Sequence, residues 1–273
     1  MPGANSVTSN QESLHKDLEK VVRKYARTTF LRPIAEHTRE AFAKAEEFVR
    51  TFYENATCSV KTDPEILRLR LGQALAGVTK QNVNVTECAP RAVILDSGCG
   101  TGESTIHIAR RFPNVPVIGI DKSCDRLNKA GNPVQTAGET IPQNAFWIRA
   151  ELLDFWRLAL DRVKAGEWRI PYHALYYPNP WPKQSEATRR FHMHPIFPTL
   201  LALGEVVELR TNWEIYAREF AEAAKIVYEC TASSAHAKIS CESFDPAAPE
   251  TAFERKYKDA GQMLWRVIVS SRK

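Results

Sequence analysis

Two short stretches of this chain hold residue types at spacings suited to chemistry: Asp96-Ser97-Gly98-Cys99-Gly100-Thr101-Gly102 and Tyr177-Pro178-Asn179-Pro180-Trp181-Pro182-Lys183. In the first, Gly98, Gly100 and Gly102 follow an apolar run and open a helical one. Glycines suit that place because the backbone must turn sharply and let a ligand approach its amides. The spacing is G-x-G-x-G, not the G-x-G-x-x-G of dinucleotide sites, so no pyrophosphate needs seating. Asp96, before the turn, can accept from an ammonium group. Asp121, 19 residues after Gly102, ends the next apolar run and can accept from both hydroxyls of a ribose; Lys122 adjoins it. Glu151 follows the third run, seven residues after Asn144, where an acceptor can reach an adenine edge. Ammonium, ribose diol and adenine together describe S-adenosylmethionine. Helix capping is the competing reading for Asp96 and Asp121. The three glycines between them and the acid at the next strand end favour the cofactor.

In the second stretch, consecutive prolines stop a strand and stiffen the loop that follows. Asn179 and Trp181 then offer a polar group beside a stacking surface, the pair of features by which planar bases are recognised. Lys183, Arg189, Arg190, His192 and His194 follow, a basic run suited to phosphate. The alternatives are that Trp181 is core and that the run is a solvated helix face.

These residues need a scaffold that brings them to one edge. From Arg91 the pattern alternates strands with helices: strands over 92–95, 115–120, 146–148, 173–177 and 205–209, helices over 103–112, 123–130, 151–163, 191–203 and 213–227. Residues 238–243 and 264–270 read as a closing antiparallel pair. Such alternation predicts a doubly wound, mostly parallel α/β sheet, whose ligands bind at the carboxyl ends of the strands. Before it, residues 1–20 read as polar and loose, 21–33 as a basic arm with aromatics, and 34–53 as an amphipathic helix presenting Phe42, Ala45, Phe48 or Val49, and Phe52. Asp63-Pro64 predicts a helix start, with a helical run to about Thr79 and a polar loop after it. The expected division is a helical extension over 1–90 and a catalytic domain over 91–273.

Lys and Arg number 37 against 32 Asp and Glu, a formal charge of +5 that permits a polyanionic partner without requiring one. The six cysteines show no C-x-x-C spacing and no Cys/His cluster, so no metal site is expected and the thiols read as reduced. Cys99 in the glycine turn reads as a small residue, not a nucleophile. With no secretory leader pattern and no apolar run of about 20 residues, the expected place is the cytoplasm.

The chain resembles the class I methyltransferases and, over roughly residues 91–273, the tRNA guanine-N7 methyltransferase family. That family carries Pro-Asp-Pro-Trp-x-Lys with a basic stretch, then Thr-Asp-x-x-x-Tyr, then Thr-x-Phe-Glu; here stand Pro178-Asn179-Pro180-Trp181-Pro182-Lys183, Thr211-Asn212-Trp213-Glu214-Ile215-Tyr216 and Thr251-Ala252-Phe253-Glu254. The resemblance implies a Rossmann-like fold with a mostly parallel seven-stranded sheet flanked by helices. It also implies S-adenosylmethionine held by Asp96, Gly98, Gly100, Gly102, Asp121, Lys122 and Glu151, with Asn179 in the catalytic position. Trp181, Lys183, Arg189, Arg190, Asn212, Thr251 and Glu254 would meet the substrate, and a β-propeller partner and a nuclear location are implied if the chain is eukaryotic. Asn179 and Asn212 replace aspartates of the family, and residues 1–90 match it poorly. Three readings follow: guanine-N7 methylation of tRNA; a paralogue methylating a small purine-like molecule or another RNA; and a non-catalytic RNA-binding subunit.

Overall fold

A computed structural model describes residues 7–56, 90–130, 140–231 and 237–271. Seven strands form one sheet: β1 (Ile94–Ser97), β2 (Val117–Asp121), β3 (Ala145–Arg149), β4 (His173–Tyr176), β5 (Val206–Thr211), β6 (Ala237–Phe244) and β7 (Leu264–Ser271). Their order is β3-β2-β1-β4-β5-β7-β6. The first five are parallel; β7 runs antiparallel between β5 and β6. Every residue of β1, β2, β4 and β5 is buried, as strands covered on both faces must be.

Helices cover both faces. On one side α3 (Glu103–Arg111) packs Ile108, Ala109 and the following Phe112 with Ile94, Val117 and Ala174. On the other, α5 (Leu152–Lys164), α6 (Phe197–Leu203) and α7 (Glu214–Cys230) share a core with Leu95, Ile118, Leu175 and Leu209. The short α4 (Cys124–Leu127) opens after β2, its Ser123 hydroxyl accepting from the Arg126 amide. The N-terminal helices α1 (Leu18–Ala26) and α2 (Glu36–Ala56) join the second core through Leu18, Val22, Phe42, Ala45 and Val49. Phe48 of α2 stacks on Phe146 of β3.

The strand order reverses between β1 and β4, which opens a crevice at their carboxyl ends. Thr211 at the end of β5 pairs with Trp265 near the start of β7, and Phe244 at the end of β6 pairs with Leu264. The connection carrying α8 (Ala252–Asp259) therefore returns over the same edge.

Three expectations change. Residues 7–20 are not loose: Gln11 and Leu18 are buried, because polar atoms of this stretch meet a buried carboxylate on α7. The first part of the basic arm, residues 21–26, belongs to helix α1, with Val22 inward and Arg23 on Glu19 and Glu229. Helix α8 was missed, and residues 191–203 form a 3-10 turn (Phe191–Met193) before α6 rather than one helix. The helix read from Asp63 to Thr79 lies outside the described residues.

Candidate active site

The tips of β1, β2 and β3 meet at the glycine turn. β1 delivers Asp96, 1% exposed, to the first turn of α3, where its Oδ2 accepts the Ser104 and Thr105 hydroxyls, each at 2.6 Å. Burial pushes this carboxyl up to about 6 although both hydroxyls pull it down, with the charges of Glu250 and Asp121 adding to the rise. Among the described residues it forms no ion pair. A buried carboxylate without a cation suits an ammonium group.

Asp121 ties β2 to the turn. Its Oδ2 accepts the Gly100 amide at 3.1 Å and its Oδ1 accepts the Ser123 amide at 2.8 Å. The cap of α4 is Ser123 itself, so Asp121 serves the turn and the approach to the helix rather than capping it. Gly98, Gly100 and Gly102 have φ of +78°, +59° and +78°, the left-handed region that only glycine enters freely. Their amides are already used, by Ile120 O, Asp121 Oδ2 and Cys99 O, so the expectation that a ligand takes these amides is corrected. What Gly98 and Gly100 offer is an open Cα face: a Cβ at either position would meet nothing within 4 Å. Gly102 differs: a Cβ there would lie 2.2 Å from Trp147 Nε1, so it is glycine for helix–sheet packing.

Glu151 takes the N-cap position of α5 but its side chain makes no capping bond. Its amide donates to Thr38 Oγ1 of α2 at 3.2 Å, which fixes the approach from β3. Lys122 is exposed, its carbonyl accepting Arg149 Nε. Burial and the neighbouring acids hold the Cys99 thiol well above its usual range, so it is inert at neutral pH.

Beside this, the loop after β4 carries the two non-glycine residues of positive φ among those described, Tyr177 (+50°) and Trp181 (+45°). Bulky side chains in that region cost about 1–3 kcal/mol each and persist only where surroundings over-determine them. Between them Asn179 is exposed, its Oδ1 accepting the Trp181 amide at 3.3 Å. The Arg189 guanidinium lies 3.6 Å from the centre of the Trp181 ring and pairs with Glu186, while Lys183 is exposed.

The rest of the basic run turns inward. Arg190, read as a phosphate contact, is fully buried: Nη1 meets Glu219 at 2.7 Å, and Nε and Nη2 hold the Trp181 carbonyl at 3.2 and 2.9 Å. His192 is also buried, its Nε2–H donating to Glu219 at 2.8 Å, and burial keeps its ring neutral. The physical reason is Glu219: a carboxylate inside the core needs donors, and these two supply them.

Two further expectations are corrected. Thr251 caps α8, its Oγ1 accepting the Glu254 amide at 3.0 Å, and Glu254 is buried, held by Arg210 at 3.0 Å and accepting the Glu250 amide at 2.9 Å. The Thr-x-x-Glu pattern is here a capping arrangement, so the buried Glu254 is not presented to a substrate as it stands. Asn212 donates to Gln262 Oε1 at 2.9 Å, joining β5 to the end of the α8 connection. Ser104, Thr105, Trp147, Thr38, Gln11 and Glu219 were missed. Only the first two had a local signal, hydroxyls in the first turn of a helix that follows an acid.

A family model described as "Putative methyltransferase" matches residues 90–267. A tRNA (guanine-N(7)-)-methyltransferase of Neisseria meningitidis serogroup C is 27% identical over 184 residues, which cover 65% of this chain and 71% of that protein. One of Treponema pallidum is 28% identical over 186 residues, 65% of this chain and 66% of that protein. Among solved structures, the "delta-N METTL16 MTase domain" superposes with a TM-score of 0.44 at 11% identity, covering 78% of this chain and 85% of that one.

Proposed function

Because the chain belongs to the methyltransferase family whose model it matches over residues 90–267, we propose that it methylates N7 of guanine in tRNA with S-adenosylmethionine as donor. When bound, S-adenosylmethionine supplies a methyl group on a sulfonium that a lone pair can displace. In this reading Asp96 receives the donor's ammonium, Asp121 its ribose hydroxyls and Glu151 its adenine edge, over the open faces of Gly98 and Gly100. The observation that carries the reading is a buried carboxylate, without an ion pair among the described residues, at the tip of β1 beside a strained Asn-Pro-Trp loop at the tip of its neighbour β4.

Guanine N7 has a free lone pair, so the step asks the protein for alignment rather than for a general base. A neutral amide at Asn179 meets that demand. It offers two donors and one acceptor, against the acceptor-only carboxylate of the family, and can donate to the guanine carbonyl. The missing charge would weaken stabilisation of the cationic base by about 1–3 kcal/mol. Trp181, with Arg189 over its ring, would flank the base, and Lys183 would meet phosphate. We assign residues 91–273 to the catalytic domain and 1–90 to its helical extension, a division supported by where the family match begins. No described helix is long and apolar enough to cross a membrane. The proposed place of action is where tRNA meets reduced thiols, the cytoplasm or a nucleus.

The test is incubation with labelled donor and total tRNA, then nucleoside mass spectrometry; 7-methylguanosine is expected, and label in no tRNA nucleoside refutes the reading. A second reading, methylation of a small purine-like molecule, is favoured by the paired Asn179 and Asn212. Turnover of free guanosine without salt-sensitive tRNA binding would establish it. Activity appearing only with added cell extract would assign the chain a protein partner such as a β-propeller.

A further inference from the structure

The Trp181 turn is held by a buried guanidinium that no motif reading places there. Arg190 Nε and Nη2 both donate to the Trp181 carbonyl, and its Nη1 donates to Glu219 Oε2 at 2.7 Å and Gln11 Oε1 at 3.0 Å. The guanidinium sits 4.8 Å from the centre of the Trp213 ring, so packing fixes its plane as well. Glu219 is itself saturated: its Oε1 accepts Gln11 Nε2 at 2.6 Å and the His15 amide at 2.7 Å, and its Oε2 accepts His192. From the same N-terminal stretch, Ser9 Oγ donates to the Pro182 carbonyl at 2.8 Å, one residue beyond the strained turn. A tryptophan at φ +45° would relax into the ordinary region without such restraint.

We propose that Arg190 is a positioning residue for methyl transfer: clamped by Glu219 and Gln11, it imposes the left-handed turn at Trp181 and so sets where Asn179 stands. The inference deepens the proposed function and rests on Asn179 facing the base. The link is short. Asn179 Oδ1 accepts the Trp181 amide, and Arg190 grips the carbonyl of that same residue, so both sides of Trp181 are fixed and the loop between Tyr177 and Trp181 has little freedom left. A lysine at 190 would keep one charge for Glu219, but a single ammonium cannot also chelate the carbonyl in the guanidinium's fork. The turn would then sample other conformations while the fold stands.

The experiment uses the full chain carrying Arg190→Lys, with kinetics on total tRNA, donor binding by calorimetry, and amide hydrogen exchange followed by peptide. Expected are a kcat lowered about tenfold to a hundredfold, as for a misaligned reacting group, and a KM and donor affinity within about threefold of wild type. Exchange should quicken in peptides covering 177–189 and not in α7. A general loss of stability would quicken α7 as well, and that outcome, or a wild-type kcat in the folded variant, overturns the proposal. Should Arg190→Lys fail to fold, Gln11→Ala removes one clamp while sparing the ion pair, and a wild-type kcat and loop exchange in that variant overturn it equally. Asn179→Ala separates the two readings. If it retains full activity, the assignment of Asn179 fails, whereas the exchange pattern still decides the role of Arg190.

Discussion

The two halves of the carboxyl edge are built by different means. Around the tips of β1 to β3, position comes from the backbone: glycines of positive φ, strand register, and short links such as Asp121 to Gly100. Around β4 and β5, it comes from buried side chains far apart in the chain: Gln11 with Glu219, Arg190 with Glu219, Arg210 with Glu254. The first half presents a surface that exists once the sheet forms. The second depends on charges withdrawn from solvent, each needing its partner.

The largest break in this contrast should come from Glu219→Ala. It strands Arg190 in the core without its counter-ion, and breaking a buried pair costs about 3–5 kcal/mol. Denaturant unfolding measures this, and a loss below about 1 kcal/mol would mean the cluster does not anchor the loop. The counterpart on the donor side is Gly102→Ala. A Cβ there enters the left-handed region and overlaps the Trp147 indole, together about 2–4 kcal/mol, whereas Gly100→Ala meets open space and costs only the backbone term. Equal losses at the two positions would refute the packing role of Gly102.

Acidity sharpens the comparison further. The carboxyl of Asp96 sits near 6, above its unfolded value, so its share of stability is present below about pH 3.8 and is lost as pH rises through 6. Glu219 is the reverse. Burial raises it, but the hydrogen bond from His192 and the charge of Arg190 carry it down to about 2, so its stabilisation is present above about pH 4.5 and is lost as pH falls towards 2. The proposed ammonium site needs Asp96 ionised; calorimetric donor affinity should therefore fall about tenfold per unit below pH 6, and Asp96→Asn should abolish that slope. An affinity flat from about pH 5 to 8 would remove Asp96 from the ammonium site. Smallest is Thr251→Ala, which deletes the α8 cap and should lower stability by about 1 kcal/mol with donor affinity unchanged.

The structure of the glycine-turn half was legible because its determinants are contiguous: an apolar run, an acid, three glycines and a helix occupy 94–111 without interruption. The acceptor half was legible only as a motif. Arg189 and Arg190 are identical in type and adjacent, yet one lies over Trp181 and the other inside the core. What separates them is Glu219, 29 residues downstream of Arg190, and Gln11, 179 residues upstream, and no local pattern carries that information. Thr251 and Glu254 were legible in a different sense. Their spacing is a helix-start signature, but the family resemblance drew them among the substrate contacts instead. The polar composition of residues 7–17 concealed a docking segment for a similar reason, since hydrophobic periodicity is blind to amides that serve a buried acid.

Synthesis emits Gln11 long before the carboxylate it serves, 208 residues later. Until α7 has left the ribosome that amide lacks its carboxylate, and the Arg190 that anchors the turn at Trp181 lacks its counter-ion. Contacts of such long range form after local ones, so the loop after β4 is among the last parts of the molecule to set. A nascent chain arrested short of residue 219 would carry the glycine turn and its acids complete, joined to a loop whose guanidinium clasp has no carboxylate to hold it.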